Sequence, residues 1–429
     1  MKTYNTPSPD QWPGLVQRPV MEASKIEGVV KNIIQEVKSR GDQALVDYAR
    51  DFDKAELHAI KVTEKEFDEA ERAIKEDLKR AISKASENIS AFHDTQRPTT
   101  EKIATTPGVQ CWRRSVAIEK VGIYVPGGTA PLFSTVLMLG IPAQLAGCSE
   151  IRLCTTPDSS GKINPAILYA ARVSGITDVF KTGGAQAIAA LAYGTESIAP
   201  VYKIFGPGNQ YVTAAKQVVA QDGVAIDMPA GPSEVAVIAD DTAHPAFVAA
   251  DLLSQAEHGA DSQVILITTC PDLPQKVEQE LEKQLSLLPR KDTAWAALEN
   301  SKIVVLPNLD DCISFSNSYA PEHLIIQVSD YGRTIDKITN AGSVFLGPYT
   351  PESAGDYAWG TNHTLPTNGY ARAYSGLSLE AFMKNITFQE ITETGIKNLG
   401  PTIETMAAAE YLEAHKNAVT VRLKYLENK

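Results

Sequence analysis

Two kinds of hydrophobic pattern divide the chain. From residue 23 to about residue 96 the sequence is charged, and apolar residues recur at spacings of three and four, as in "KIEGVVKNIIQEVKSRGDQALVDYARDF". That spacing predicts amphipathic helices that cover another part of the protein. A helical pattern returns after Leu379 and ends in "TIETMAAAEYLEAHKNAVTVRLKYLE". We therefore expect helical segments at both ends of the chain.

Between these ends, short β-rich runs alternate with helical patterns. A first series consists of "VAIEKVGIYV", "EIRLCTT", "ITDVFKT", "PVYKIFG" and "VAIDMPA". A second series consists of "EVAVIAD", "QVILITTC", "KIVVLPN", "HLIIQV" and "SVFLGP". Because strand, loop and helix repeat in this order, each series predicts a parallel, doubly wound sheet. The sequence thus predicts two α/β lobes, with the boundary between Ala230 and Ser233.

The length and net charge of the chain favour a protein of several domains that does not bind nucleic acid. A chain of 429 residues exceeds what one hydrophobic core normally supports, so we expect more than one domain. The net charge is -12, and no Lys/Arg stripe with interleaved aromatics is present, which argues against nucleic acid as a partner. A small-molecule partner is the better expectation.

The apolar stretches and the cysteines of the chain indicate in which cellular compartment the protein is expected. The first residues, "MKTYNTPSPDQWPG", lack the apolar segment of a secretory signal, and the longest apolar run is interrupted by Gly140, Pro142 and Gln144. The five cysteines are scattered and form no C-x-x-C pair, which argues against a disulfide framework and a thiolate zinc site. We expect a cytoplasmic protein with no membrane partner.

Four glycine-rich loops follow predicted strands of the first lobe: "VPGGTAP", "TGGAQA", "FGPGNQY" and "PAGPSE". Ligands of open α/β sheets bind at the carboxyl ends of strands, where glycine allows close approach and helix N-termini attract phosphate. The usual dinucleotide fingerprint is nevertheless missing, because Tyr211 stands where the third glycine after Gly206 and Gly208 should be. Ordinary βα turns explain these loops equally well.

Histidines and acids are concentrated in the second lobe and tail, within "SQAEHG", "APEHL", "ESAGDYAWGTNH" and "EYLEAHKNAV". Zinc binds imidazole nitrogen and carboxylate oxygen that converge from different elements. Four residues here could supply such a set: Gln255, His258, Asp356 and His415. Taken singly, each has a plainer role as a helix-surface, turn or helix-terminal residue. The remaining histidines have surroundings typical of the surface: His58, His93 and His244.

Glu322 and His323 are adjacent in a short turn before the apolar run "LIIQV". A carboxylate beside an imidazole in a protected cleft can act as a general base and proton shuttle near neutral pH. A helix-terminal polar pair without catalytic role is an equally good interpretation of these two residues alone.

Long segments resemble the histidinol dehydrogenase family from about Val29 to Arg422, among them "VGIYVPGGTAPLFSTVLM", "DMPAGPSEVAVIAD", "DLLSQAEHGADSQVIL" and "AGSVFLGPYTPESAGDYAWGTNHTLPT". The resemblance implies one zinc ion per active site, with ligands Gln255, His258, Asp356 and His415. It implies the acid/base residues Glu322 and His323, and NAD contacts at Tyr124, Gln186 and Asn209. It implies substrate contacts at Ser233, His363 and Glu410, together with His323 and the zinc ligands.

The same resemblance implies a fold of two incomplete Rossmann-like, doubly wound lobes with small helical N- and C-terminal extensions, in an intertwined homodimer. The implied domains are a small extension of residues 1–24 with 378–392, a zinc and acid/base lobe of residues 25–118 with 235–377, an NAD-binding lobe of residues 119–234, and a tail of residues 393–429. In such a dimer the tail reaches the neighbouring subunit's site, so Glu410 and His415 would act across the interface.

The reaction implied by the resemblance is the oxidation of L-histidinol to L-histidine by two NAD+. His323 would take the hydroxyl proton, and Glu322 would activate the water that hydrates the aldehyde. One alternative is a related zinc and NAD enzyme acting on another small amino or polyol alcohol, against which Glu410 and His363 argue. A zinc hydrolase that uses Glu322 and a non-catalytic binding protein are further alternatives.

Overall fold

A computed structural model describes residues 1–18, 23–127, 130–228 and 231–429. Its strands are β1 (Lys2–Asn5), β2 (Lys102–Thr106), β3 (Val109–Ala117), β4 (Lys120–Val125), β5 (Glu150–Thr155), β6 (Asp178–Lys181), β7 (Lys203–Phe205), β8 (Ala225–Ile226), β9 (Glu234–Ala239), β10 (Gln263–Thr268), β11 (Lys302–Val305), β12 (His323–Gln327), β13 (Ser343–Leu346) and β14 (Met383–Ile391).

The α-helices lie around three sheets formed by these strands. They are α1 (Trp12–Leu15), α2 (Ala23–Arg40), α3 (Asp42–Phe52), α4 (Glu64–Ala73), α5 (Glu76–Asp94), α6 (Phe133–Ala146), α7 (Pro165–Val173), α8 (Gly184–Tyr193), α9 (Gln210–Gln221), α10 (Pro245–Ala256), α11 (Leu273–Leu285), α12 (Lys291–Glu299), α13 (Leu309–Tyr319), α14 (Glu352–Tyr357), α15 (Glu393–Ala409) and α16 (Glu413–Glu427).

Both expected parallel sheets are present. The first sheet has the strand order β6-β5-β4-β7-β8, and all of its neighbours are parallel. The second has the order β1-β11-β10-β9-β12-β13, again parallel throughout. Every run of the two β-rich series therefore contributes a strand to the lobe that we expect. The second sheet also gains an edge strand, β1, in which Lys2 lies opposite Lys302.

The N-terminal helices pack on the first sheet. Helix α2 contacts α8 and α9, α4 contacts α7, and α5 contacts α6. Ile33 and Leu45 share a buried cluster with Ile188, and Ile82 shares one with Ile123. The sequence-based division groups residues 25–118 with 235–377 instead. Because the apolar faces of these helices are buried against the other lobe, the packing favours grouping them with residues 119–234, and we propose that revised division.

The second sheet is buried on both faces. Helices α10, α11 and α12 share a core cluster with one face, and α13 packs with α1 against the other. Its central strands are accordingly continuous apolar runs such as "EVAVIA" and "QVILIT" rather than alternating patterns.

A third, antiparallel sheet with the order β14-β3-β2 was not expected. Strand β14 pairs with β3 along its length, from Met383 opposite Ala117 to Ile391 opposite Val109. The helical pattern expected directly after Leu379 is therefore wrong for this segment, whose alternation in "NITFQEI" suits a strand. Beyond it, α15 and α16 pack against each other. Within the described ranges, no helix combines the length and apolar character needed to cross a bilayer.

Candidate active site

A cleft of about 1120 Å³ lies between the two parallel sheets. From the first lobe it is lined by the loop of residues 206–209 and the start of α6, which follow strand carboxyl ends. From the second lobe it is lined by residues that precede strands, such as Ser233 before β9 and Glu322 before β12. The second lobe thus presents the amino ends of its strands to the cleft, opposite to the usual geometry of open α/β sheets.

Glu322 and His323 are both buried where the chain passes from α13 into β12. The backbone N–H of Glu234 donates to Glu322 Oε2 at 2.8 Å, and the backbone oxygen of Glu234 lies 3.2 Å from His323 Nδ1. A proton on Nδ1 that donates to this carbonyl leaves Nε2 bare. His323 Nε2 is buried without a hydrogen-bond partner and lies 3.6 Å from Asp356 Oδ1.

The side chain of Glu234 forms an ion pair with Arg18. Arg18 donates twice to the Glu234 carboxylate, from Nε and from Nη2, each at 2.8 Å. The backbone N–H of Asn368 donates to the same carboxylate at 2.8 Å, and the Arg18 guanidinium lies 3.9 Å from the centre of the Tyr319 ring. Bidentate pairing of this kind has fixed geometry. It therefore restrains the residue whose backbone contacts both Glu322 and His323.

Three of the four expected zinc ligands surround His323. Gln255, at the end of α10, is 1% exposed, and its Nε2 lies 3.2 Å from His323 Nδ1. Asp356 Oδ1 in α14 lies 3.6 Å from His323 Nε2. His258 follows α10, is exposed in the single chain and lines the cleft, near enough to Asp356 for their charges to interact.

The sequence missed one acid in this cluster, Glu352. Donor atoms of His323, Glu352 and Asp356 all lie within 4.8 Å of one another. Glu352 and Asp356 are four residues apart in α14 and so share one helix face. That spacing was the available signal, but an isolated acid in a short segment gave no reason to single it out.

Burial and charge shift the proton affinities of these groups. Burial raises the pKa of Glu322 to about 7 and that of Glu352 to about 8. Burial acts to lower the pKa of His323, but the carboxylates of Glu352, Glu322 and Asp356 outweigh it and raise this pKa to about 10. A buried cluster of carboxylates and imidazoles favours a bound cation. The donor types match zinc, and the orphaned Oε1 of Gln255 offers one more ligand atom.

The two tail residues of the expected site lie elsewhere in the single chain. Glu410 and His415 are exposed near the junction of α15 and α16, and neither lines the cleft. Apolar side chains around them are exposed as well, with Tyr411 91% and Met406 62% accessible. The fold of one chain therefore leaves the fourth ligand position unfilled by His415.

Of the expected NAD contacts, only Asn209 lines the cleft. Its Oδ1 accepts from the backbone N–H groups of Tyr211 at 3.0 Å and Val212 at 3.2 Å, which caps α9. Tyr124 and Gln186 are buried, and the Tyr124 hydroxyl accepts from the Gly184 N–H at 3.2 Å. Tyr124 also belongs to a buried hydrophobic cluster of the first lobe.

A buried lysine holds the loop that Asn209 ends. Lys216 Nζ donates to the Gly206 carbonyl at 2.9 Å and pairs with Asp227, which also accepts from the Gly206 N–H at 2.8 Å. Gly206 has φ of 126°, and a Cβ there would stand 1.9 Å from the Tyr124 carbonyl oxygen. Only glycine allows the two backbones to approach this closely.

Ser233 and His363 both line the cleft. His363 Nδ1 lies 2.9 Å from the Asp356 backbone oxygen, to which it can donate, and Nε2 lies 3.0 Å from Thr135 Oγ1 in α6. This contact joins the two lobes across the cleft. His93, expected at the surface, is instead fully buried, with Nδ1 3.0 Å from the Ile89 carbonyl oxygen.

Comparisons with known proteins cover nearly the whole chain. The family model described as Histidinol dehydrogenase matches residues 16–423. Histidinol dehydrogenase of Bacteroides fragilis is 58% identical over 423 residues, covering 99% of each chain, and that of Bacteroides thetaiotaomicron is 57% identical over 427 residues, covering 100% of each. The crystal structure of histidinol dehydrogenase from Elizabethkingia anophelis has a TM-score of 0.98 at 58% identity, covering 100% of this chain and 99% of that one.

Proposed function

The chain belongs to the histidinol dehydrogenase family, and from this premise we propose which of its residues carry out each step of the reaction. The enzyme is an NAD-dependent oxidoreductase of histidine biosynthesis that converts L-histidinol to L-histidine, using zinc and two NAD+. The carbinol is oxidised to an aldehyde, and the hydrated aldehyde is oxidised to the acid. The observation that carries our assignment is the buried imidazole of His323, whose Nδ1 lies 3.7 Å from Glu322 Oε2 and whose unpartnered Nε2 lies 3.6 Å from Asp356 Oδ1.

We assign the zinc ion to Gln255, His258 and Asp356 of one chain and His415 of a second copy. The unpaired Oε1 of Gln255 and the proximity of His258 to Asp356 support this set. His323, Glu352 and Asp356 form an alternative set of ligands. We favour the first set, because a metal bound to His323 would prevent this residue from acting as the base. A zinc ion held by these residues would supply a Lewis acid that binds the substrate and orients its carbinol.

We propose His323 as the base of the first oxidation: a zinc ion bound beside it would offset the carboxylates that raise its pKa to about 10, and would so favour the imidazole without a proton on Nε2. As hydride leaves the carbinol carbon for NAD+, the hydroxyl proton passes to Nε2, and the aldehyde forms. The Nδ1 contact to the Glu234 carbonyl keeps the ring in the tautomer with Nε2 free. The Arg18 ion pair restrains Glu234, so the base keeps its position through both oxidations.

Glu322 serves as the base of the hydration step. It takes a proton from water while the water oxygen bonds to the aldehyde carbon, which gives the hydrate that loses the second hydride. A pKa of about 7, raised by burial, suits a general base that must take and release protons near neutral pH. The Glu234 N–H holds one carboxylate oxygen, which leaves the other for water.

Substrate and NAD+ occupy the rest of the cleft. We propose that Ser233 and His363 contact L-histidinol and that Glu410 of a second copy holds its imidazole. Asn209 is the NAD contact best supported by position, because it lines the cleft at an α-helix N-terminus that attracts phosphate. For Tyr124 and Gln186 the proposed contact requires a change of conformation, since both are buried here and neither lines the cleft.

We further propose an intertwined homodimer with shared active sites. The exposed tail residues Glu410 and His415, and the exposed apolar side chains near them, support a second copy as the covering partner. All five cysteines are unpaired, and free thiols are typical of a reducing compartment, so we propose the cytoplasm as the site of action.

Two substitutions test the division between metal binding and proton transfer. His258→Asn is expected to lose zinc and turnover together, because it removes a ligand. His323→Gln is expected to keep zinc while turnover falls by about 10²–10⁴-fold, because it removes only the base. Metal analysis of the purified variants alongside NADH formation from L-histidinol provides the measurement. Equal loss of zinc in both variants would contradict the proposed roles.

A further inference from the structure

Glu352 has no part in the reaction as described above, yet it is among the most buried acids of the described residues, at 1% exposed. It lies on α14, one turn before Asp356, and it does not line the cleft. A buried carboxylate is costly unless a partner compensates for lost water. We therefore expect a hydrogen-bond partner that compensates for the burial of the Glu352 carboxylate.

That partner is Gln255. Its amide Nε2 donates to Glu352 Oε1, while its Oε1 is buried and has no partner. A primary amide has almost the same shape in either orientation, so its neighbours decide which atom faces which way. With a cation bound nearby the carboxylate is ionised, so it only accepts hydrogen bonds and therefore selects the NH2 group. The amide oxygen is left on the other side.

We propose that Glu352 is a positioning residue that turns the carbonyl oxygen of Gln255, and not its NH2 group, toward the metal. The proposal rests on the zinc site proposed above. Zinc accepts oxygen ligands and cannot bind a protonated amide nitrogen. An amide is neutral and can turn over, so a glutamine ligand needs this restraint more than a carboxylate does. Partners that orient ligands in this way typically account for 10–100-fold in metal affinity.

The test uses Glu352→Gln, which keeps the shape but can donate as well as accept. The full-length protein is stripped of metal, and zinc affinity is measured by competition with a chromogenic chelator. We expect zinc affinity to fall about 10–100-fold. We expect the midpoint of thermal unfolding of the metal-free protein to change little, because glutamine has the same shape and its oxygen can still accept from the Gln255 amide. Unchanged zinc affinity, or a metal-free protein that is less stable, would overturn the positioning role.

A reciprocal double variant separates orientation from mere packing. In Gln255→Glu with Glu352→Gln, the amide at position 352 donates to the carboxylate at position 255, and both oxygens of that carboxylate are acceptors. Net charge and volume are unchanged. We expect the double variant to recover most of the zinc affinity lost in Glu352→Gln. Failure to recover any would contradict orientation as the cause.

Spectra of the Co²⁺-substituted protein and a control variant distinguish a positioning role of Glu352 from direct binding to the metal. If Glu352 were itself a ligand, Glu352→Gln would change the visible absorption of the Co²⁺-substituted protein, whereas a positioning role leaves its pattern unchanged once the site is saturated. Glu322→Gln removes a carboxylate whose Oε2 lies 3.7 Å from His323 Nδ1, whereas Gln255 donates to Glu352, so zinc affinity should change little. If wild-type protein fails to bind zinc at all, the proposed site itself is wrong. If wild type binds and Glu352→Gln binds equally well, only the positioning role is wrong.

Discussion

The positions of the proposed catalytic residues Glu322 and His323 depend on contacts with residues distant in the sequence. The adjacency of Glu322 and His323 is visible in the sequence, but Glu234, which contacts both, lies 88 residues before Glu322, and the loop "PAGPSE" that it ends does not reveal these contacts. Arg18 likewise reaches Glu234 across 216 positions. Residue types and spacing can therefore nominate the base, whereas its restraint depends on a tertiary contact that no local pattern encodes.

Glu322→Gln is expected to separate the two oxidations. The aldehyde still forms because His323 is intact, but its hydration slows because the amide cannot take the proton of water. Steady-state turnover should fall by about 10²–10⁴-fold, while a rapid burst of one NADH per site survives. Stopped-flow absorbance with excess L-histidinol provides the measurement. Loss of the burst together with turnover would place Glu322 in the first oxidation instead.

Asp53 lies outside the cleft and provides a test of burial in the first lobe. Burial raises the pKa of Asp53 from 3.8 to about 6, and its Oδ2 has no partner. The folded state therefore binds the proton more tightly than the unfolded state, so this group makes the protein less stable as pH rises through about 4 to 6. Asp53→Asn removes that penalty.

The expected gain for Asp53→Asn is about 1–2 kcal/mol in the free energy of unfolding near pH 8, reduced from the full shift because the side chain is partly exposed. The gain should vanish below the ordinary pKa of an aspartate. Chemical denaturation at several pH values measures it. Asp51→Asn, an exposed acid on the same helix, is the control and should have no such effect. A gain that is independent of pH would rule out ionisation as its cause.

Helices and strands could be predicted from the sequence where their hydrophobic residues follow one regular spacing. The central strands of both parallel sheets are short apolar runs between helical patterns, so their order along the chain and their lobe follow from the sequence. Strand β1 could not be found in this way, because four exposed or half-buried residues at a sheet edge carry little pattern. The sheet β14-β3-β2 was missed for a related reason, since most of its residues face solvent on both sides in the single chain.

The loop and cap at the start of α9 offer a test of the NAD site. Asn209→Ala removes the cap and should cost about 1 kcal/mol in stability, whereas Asn209→Ser keeps a capping oxygen and should cost little. If Asn209 also contacts NAD+, both variants should raise the KM for NAD+. Thermal unfolding and initial rates at varied NAD+ separate the two effects. A KM that rises only in Asn209→Ala would mean that the residue acts solely as a cap.

The whole molecule places its chemistry between two sheets that use opposite ends of their strands. The first lobe contributes loops at strand carboxyl ends, the second contributes residues at strand amino ends, and the contact between Thr135 and His363 joins them. This arrangement could not be derived from either series of strands alone, because it depends on how two sheets face each other. Because Glu410 and His415 are exposed and distant from the cleft of their own chain, we propose that the tail of a second copy completes the site.

Mixed dimers test the shared active site most directly. His323→Gln and His415→Asn are each expected to abolish turnover when every chain carries the change. In a purified dimer with one copy of each, one site has both defects, and the other combines an intact cleft with an intact tail. Our account predicts about half of the wild-type activity for this dimer. If each tail serves its own chain, both sites carry a defect, and an inactive mixed dimer would contradict the account.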